Sequence, residues 1–189
     1  AAVLYAREGA QVLAVDLNLD AAEETRSIIV AEGGDCTPLQ ADVTNAAQVA
    51  AMLASCLEAY GRIDILHNNV GIPYVGGPEE TAEEDWDMLF TVNAKSMYLT
   101  CQACLPQMVA QGIGTIVNIS SVAGVTGQGS NVAYCASKAA LDSMTRSLGR
   151  ALAPSIRVVS VAPGWVYGEY ASRMPPEVID AQRAATPLD

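Results

Sequence analysis

Residues 11–41 read QVLAVDLNLDAAEETRSIIVAEGGDCTPLQA, and this stretch decides the fold class. The aliphatic run Gln11–Asp16 predicts a buried strand, and Cys36–Ala41 predicts a second one. Between them, apolar residues at three- and four-residue spacing predict a helix over Asp20–Glu32. The strands lack the alternation of a sheet that is exposed on one face, so we expect helices on both faces. Strand, helix and strand in this order predict a parallel sheet.

The same alternation continues through the rest of the chain. It predicts three more strands, over Ile63–His67, Thr115–Ile119 and Ile156–Ala162, and helices over Ala1–Glu8, Ala46–Tyr60, Thr81–Val109 and Ala133–Leu152. The fold class is therefore α/β, a doubly wound parallel sheet, with residues 1–189 forming a single domain. Because the chain opens in a helix and has no closing strand, we expect the first strand and the C-terminal strand of this fold to be missing from it.

Composition excludes several classes of protein. The 189 residues carry 10 basic and 21 acidic side chains, a formal net charge of −11, which disfavours binding to nucleic acids and anionic membranes. With 51% hydrophobic and 16% charged residues the chain is predicted to be ordered. No apolar run reaches the ~18 residues of a membrane span, and no signal-peptide pattern opens the chain. The odd number of cysteines, five, favours a reducing compartment, and so a cytoplasmic location.

Two residue types raise the alternative of metal or redox chemistry. Cys101 and Cys104 form a C-x-x-C pair, and His67 is the only histidine. A zinc site needs about four ligands, whereas this pair lies in the middle of a predicted helix without a second pair. We therefore predict buried thiols, a packed histidine and no metal.

Polar or turn residues follow each of the five predicted strands. These are Asp16, Asp42, Asn68-Asn69, Ser120-Ser121 and Pro163-Gly164. Ligands of open α/β sheets bind beyond the carboxyl ends of the strands, so these residues predict one cleft, although ordinary polar turns would give the same pattern. An acidic residue such as Asp16 can accept both ribose hydroxyls of adenosine and repels a 2′-phosphate, which favours NAD over NADP.

The strongest signal is Tyr134 followed four residues later by Lys138. That spacing places both side chains on one face of a helix, where a lysine ammonium stabilises the phenolate form of a tyrosine. Tyr134 could then give or take a proton at a substrate oxygen. Ser121 lies thirteen residues before the tyrosine, and such a set of three is expected by chance only about 0.005 times in a chain of this composition.

These residues resemble those of the short-chain dehydrogenase/reductase family. The match comprises Asn68-Asn69-Val70-Gly71, Asn93, the run Gly114-Thr-Ile-Val-Asn-Ile-Ser-Ser121, Tyr134 with Lys138, and Pro163-Gly164. It covers essentially the whole chain, in the family's order and spacing. The resemblance implies a Rossmann-like fold and an oxidoreductase that transfers a hydride between NAD(H) and a secondary alcohol or ketone.

The resemblance also implies roles for individual residues. Tyr134 is expected to be the acid/base, with Lys138 supporting it and holding the nicotinamide ribose. Ser121 is expected to bond the substrate oxygen, whereas Ser120 has the wrong spacing and is expected to be structural. Asn93 resembles the asparagine that positions a proton-relay water, with local hydrogen bonding inside a helix as its alternative. Cofactor contacts are implied for Asp42, Val43, Asn69 and Val166.

Three departures from the family pattern accompany the resemblance. No glycine-rich phosphate loop precedes the first helix, and Gly112-Ile-Gly114 is no substitute because it precedes a strand. Gly168 replaces a frequent threonine, and Val70 replaces the usual alanine. The alternatives are therefore a truncated, catalytically incompetent fragment and an epimerase or dehydratase of the extended branch of the family.

The remaining expectations concern substrate and assembly. The substrate-lining segments are predicted at 71–85, 122–132 and 165–189, where Tyr74, Trp165, Tyr167, Tyr170 and Met174 suggest a partly apolar lid. The two long helices are apolar over more than one stripe, which predicts a homodimer or homotetramer.

Overall fold

The structure is a computed structural model that describes residues 1–74, 76–128, 131–166 and 176–185. Its strands are β1 (Val12–Asp16), β2 (Cys36–Gln40), β3 (Ile65–Asn68), β4 (Gly114–Ile119) and β5 (Ile156–Val161). Its α-helices are α1 (Ala2–Arg7), α2 (Leu19–Ala31), α3 (Ala46–Tyr60), α4 (Glu83–Phe90), α5 (Ser96–Gln111), α6 (Val122–Thr126), α7 (Val132–Leu152) and α8 (Pro176–Ala185). The alternation of strands and helices confirms the predicted α/β class.

All strand pairs are parallel, and they form two sheets. One sheet pairs β1 with β2, with Val12 opposite Cys36; the other has the order β3-β4-β5, with Ile65 opposite Thr115. Within the described residues β1 does not pair with β3. The Tyr5 hydroxyl on α1 lies 3.1 Å from Nδ1 of His67 on β3, so a side-chain contact links α1 to the second sheet.

Each sheet has its own apolar core. The larger core joins β3, β4 and β5 to the helices that cover them, and it contains Ile63, Leu66, Met97, Cys101, Cys104, Met108, Ile116, Leu141 and Ile156. The smaller core contains Ala14, Ile29 and Cys36 beneath α1 and α2. Gly114 permits the tight packing of α5 on β4, because a Cβ at this position would lie 2.7 Å from the Met108 sulfur.

The predicted helix over Thr81–Val109 is the largest difference between expectation and structure. It is three segments: α4, a π-helical segment Thr91–Lys95, and α5. The Ser96 amide bonds to the Thr91 carbonyl, the longer step of a π-helix. This wider turn buries Asn93 and Ala94, which periodicity at 3.6 residues per turn could not predict.

The cysteines and the histidine are packed side chains, as predicted. Burial raises the pKa of Cys101 to about 11 and that of Cys104 to about 12, so both remain neutral thiols. Burial also lowers the pKa of His67. The described part of the chain contains no group of three or more His, Cys, Asp or Glu side chains that could hold a metal ion. None of its helices is long and apolar enough to cross a membrane.

Candidate active site

The carboxyl ends of the parallel strands carry the predicted site residues. Asp16 ends β1, Asn69 follows β3, and Ser121 lies just beyond β4. The ends of β4 and β5 are joined by backbone hydrogen bonds, from the Ser120 amide to Val161 and from the Val122 amide to Pro163. The turn that carries Ser121 is therefore fixed to the end of the neighbouring strand.

Tyr134 and Lys138 lie on the first turns of α7 and on the same face of it. The Lys138 Nζ is 5.9 Å from the centroid of the Tyr134 ring. Asn131 caps the helix, accepting hydrogen bonds from the Ala133 and Tyr134 amides. Lysine and the positive end of the helix dipole both favour negative charge at the position of the tyrosine.

Lys138 is buried, with only 3% of its surface exposed. Its Nζ donates to the Ile119 carbonyl at 2.8 Å, at the end of β4. Burial lowers the pKa of Lys138, whereas the charge of Asp142, one turn further along α7, raises it. The Asp142 Oδ1 is buried and has no hydrogen-bond partner among the described residues, so this carboxylate acts on the lysine through its charge.

The two serines after β4 have different environments. Ser120 is buried, and its hydroxyl donates to the Lys138 carbonyl at 3.4 Å, which fits the structural role predicted for it. Ser121 is half-buried and caps α6, its hydroxyl accepting from the Ala123 amide at 3.2 Å. A Cβ at Gly124 would lie 2.8 Å from the Lys138 carbonyl carbon, so α6 packs directly on the backbone of α7. This contact brings the Ser121 turn against the helix of Tyr134.

Asn93 has partners that are distant in sequence. Its Oδ1 accepts from the Ile72 amide at 2.8 Å, and its Nδ2 donates to the Ile72 carbonyl and to the Ser137 hydroxyl, both at 3.1 Å. The alternative of local bonding inside a helix is therefore wrong. A Cβ at Gly71 would lie 3.1 Å from the Lys138 Nζ and 3.3 Å from the Asn93 Oδ1, so a side chain at this position would have to displace these atoms by a few tenths of an ångström.

A buried chain of hydrogen bonds lies under the site. The Thr100 hydroxyl donates to the Asn68 Oδ1 at 2.7 Å, the Asn68 Nδ2 donates to the Asn118 Oδ1 at 2.9 Å, and the Asn118 Nδ2 donates to the Thr145 hydroxyl at 2.9 Å. This chain connects α5, β3, β4 and α7. It fixes the relative positions of α5, which directly follows the segment of Asn93, of β4, which leads into Ser121, and of α7, which carries Tyr134.

The residues predicted to contact a cofactor lie at or beyond the carboxyl ends of β1, β2, β3 and β5. Asp16 is exposed, and its Oδ1 accepts from the Asn18 amide at 2.9 Å. The Asp42 Oδ1 accepts from the hydroxyl and the amide of Thr44, bonds that lower the pKa of Asp42. Val43 is half-buried, while Asn69 and Val166 are exposed. Tyr167, Gly168, Tyr170 and Met174 lie outside the described residues.

Sequence reasoning missed four residues that shape the site: Gly124, Asn131, Ser137 and Asp142. Two of them have a recognisable sequence signal: asparagine directly before a helix is a preferred N-cap, and Asp142 follows Lys138 by four residues, which places both on one face of α7. Gly124 and Ser137 act through contacts between elements that are distant along the chain.

Comparison with known proteins agrees with this geometry. Residues 1–177 match the family model described as short chain dehydrogenase. The chain is 35% identical over 185 residues to the 2,5-dichloro-2,5-cyclohexadiene-1,4-diol dehydrogenase LinX of Sphingobium indicum, covering 97% of this chain and 74% of that protein.

Two solved structures are similar over most of the chain. One is a putative short-chain dehydrogenase/reductase from Burkholderia xenovorans, with a TM-score of 0.93 and 38% identity over 99% of this chain and 74% of that one. The other is an NAD+-bound xylitol dehydrogenase, with a TM-score of 0.86 and 30% identity over 89% of this chain and 66% of that one. With the family model matching residues 1–177 and relatives of this identity and coverage, the chain belongs to the short-chain dehydrogenase/reductase family of oxidoreductases.

Proposed function

We propose that this oxidoreductase interconverts a secondary alcohol and a ketone with NAD(H), and that Tyr134 is its acid/base. The observation that carries the proposal is the Tyr134–Lys138 pair, in which a buried ammonium lies 5.9 Å from the ring centroid. The names of two similar proteins, a diol dehydrogenase and a xylitol dehydrogenase, support an alcohol as the substrate class.

Each residue of the site has a distinct task in this reaction. A bound nicotinamide supplies the hydride acceptor for alcohol oxidation and the hydride donor for ketone reduction. Tyr134 takes the hydroxyl proton of the alcohol, or returns it to the ketone oxygen, while Lys138 stabilises the phenolate. Ser121 donates a hydrogen bond to the substrate oxygen, where charge develops. Asn93 holds the backbone of Ile72 beside Lys138 and so maintains the shape of the site.

The residues present fit a dinucleotide cofactor. The Lys138 Nζ donates one hydrogen bond, to the Ile119 carbonyl, and its remaining N–H groups are donors suited to the hydroxyls of the nicotinamide ribose. Asp16 presents an exposed carboxylate at the end of β1, suited to the hydroxyls of the adenine ribose. Asp42, Val43, Asn69 and Val166 complete the proposed cofactor contacts.

We expect NADH to bind at least about 10-fold more tightly than NADPH, because Asp16 accepts ribose hydroxyls and repels a 2′-phosphate. Asp16→Asn keeps an oxygen for the Asn18 amide but removes the charge, and should weaken NADH binding about 10-fold. Calorimetric titration of the unmodified chain and of Asp16→Asn with NADH and with NADPH measures the dissociation constants that are compared. Glu24→Gln, which removes an exposed charge from α2, should bind both cofactors as the unmodified chain does. NADPH binding as tight as NADH binding, or binding of neither, would contradict the cofactor proposal.

We also propose that the enzyme is a cytoplasmic homodimer or homotetramer. A groove lies between α7 and the stretch formed by α4, the π-helical segment and α5. It is lined by Asp87, Phe90, Thr91, Ala94, Lys95, Tyr98, Ala140 and Met144. Tyr98 is 51% exposed there, and a two-fold related copy would bury it. The odd cysteine count supports a reducing compartment.

Sedimentation at micromolar concentration should therefore show a dimer or a tetramer. Tyr98→Asp should shift the population toward monomer, because it would bury an unpaired charge in the interface. Leu4→Asp adds the same charge to an exposed residue of α1 and should leave the assembly unchanged. A monomer for the unmodified chain would overturn the proposed assembly.

A further inference from the structure

Asn131 connects the start of α7 to the loop that precedes α4. Its side chain is 3% exposed and uses both ends of its amide. The Oδ1 accepts from the Ala133 amide at 2.7 Å and from the Tyr134 amide at 3.4 Å. The Nδ2 donates to the Thr81 hydroxyl and, at 3.5 Å, to the Gly76 carbonyl. One buried side chain therefore bonds the helix of the proposed acid/base and the loop.

The described residues 71–74 and 76–81, called the 71–81 loop below, are attached to the site at both ends. At its beginning, Asn93 bonds both the amide and the carbonyl of Ile72. At its end, the Thr81 hydroxyl accepts from Asn131 and donates to the Gly77 carbonyl at 3.1 Å. The position of the loop is therefore set by side chains from the two elements that carry Asn93 and Tyr134.

We propose that Asn131 is a positioning residue that couples the 71–81 loop to the N-terminus of α7, so that loop position and Tyr134 orientation are set together. The functional consequence rests on the proposed role of Tyr134, since a loop displaced by substrate would move the acid/base with it. The coupling itself rests only on the hydrogen bonds of Asn131. A loop that contacts substrate and is tied to the acid/base would make the rate sensitive to substrate shape.

The two ends of the Asn131 amide can be separated by substitution. Thr81→Val has nearly the same volume but removes the acceptor on the loop side, leaving the Nδ2 with only the long contact to Gly76. Asn131→Asp keeps an oxygen that can cap α7, where negative charge is favourable, but removes both donors toward the loop. Thr81→Ser restores the hydroxyl and serves as the conservative rescue.

Hydrogen exchange of the backbone amides, read by mass spectrometry on the full chain, tests the coupling without any substrate. Thr81→Val should speed exchange at the first turn of α7 as well as in the loop, by about 2- to 12-fold, the range expected for loss of one hydrogen bond. Asn131→Asp should speed exchange in the loop alone. Thr81→Ser should exchange as the unmodified chain does, and so should Thr25→Val, which loses a hydroxyl bond to Ala21 on α2.

Faster exchange confined to the loop in Thr81→Val, or no change in either region, would overturn the coupling. This result is independent of the proposed function, because it involves neither cofactor nor turnover. If Thr81→Val shows faster exchange in both regions but Tyr134→Phe keeps full activity, the structural role of Asn131 stands and its link to catalysis does not.

Discussion

Replacing Tyr134 by Phe is expected to lower kcat for oxidation of a secondary alcohol by about 10²- to 10⁴-fold, the usual contribution of a positioned acid/base. The ring is kept, so its packing near Lys138 is unchanged and only the proton-transfer group is lost. The measurement is the rate of NADH formation across a panel of secondary alcohols, with the thermal unfolding midpoint recorded for the same samples. The midpoint should stay within a few degrees of that of the unmodified chain.

The matched control is Tyr98→Phe, which removes a hydroxyl on α5 but keeps the ring that the proposed interface would bury. The Tyr98 hydroxyl accepts a hydrogen bond from Gln102 at 3.2 Å, one turn along the same helix, and lies outside the proposed active site, so its loss should leave kcat unchanged. Full activity of Tyr134→Phe would show that another group moves the proton, and the proposed mechanism would be wrong.

Replacing Lys138 by Met should lower the rate of alcohol oxidation and change the alkaline side of its pH–rate profile. The rate should fall because the variant loses a buried positive charge 5.9 Å from the Tyr134 ring centroid, a charge that favours the phenolate in the proposed reaction. Burial lowers the pKa of Lys138 below its usual value, so the unmodified enzyme should lose activity as pH rises through that lowered pKa and the lysine becomes neutral. The variant should lack this alkaline decline.

Lys95→Met is the control for this prediction, because it removes the only other lysine of the chain, which lines the groove proposed for assembly and lies outside the proposed active site. Its rate and pH–rate profile should match those of the unmodified enzyme. If Lys138→Met kept both the unmodified rate and the alkaline decline, the lysine would have no role in stabilising the phenolate, and its proposed task would be limited to binding the ribose.

The local order of the chain was predictable because it depends on near neighbours. Apolar runs and helical spacing predicted β1 and α2 within one or two residues. Gly61 ends α3 with a φ of +73°, a left-handed conformation that favours glycine at a helix end. The four-residue spacing of Tyr134 and Lys138 also needed only helical geometry. The π-helical segment was missed because Asn93 is buried by contacts with Ile72 and Ser137, which come from other elements.

The α/β class, the family resemblance and the identity of the central side chains could be predicted from residue type and short-range spacing alone. How these side chains are held in place could not, because their partners come from other parts of the chain. The bond of Lys138 to the Ile119 carbonyl, the fit of Gly71 between Lys138 and Asn93, and the two-sided bonding of Asn131 all join residues that are distant along the chain. Such contacts form only after folding has brought the elements together. They then stabilise the folded site, because a buried polar group must find its hydrogen-bond partner inside the protein.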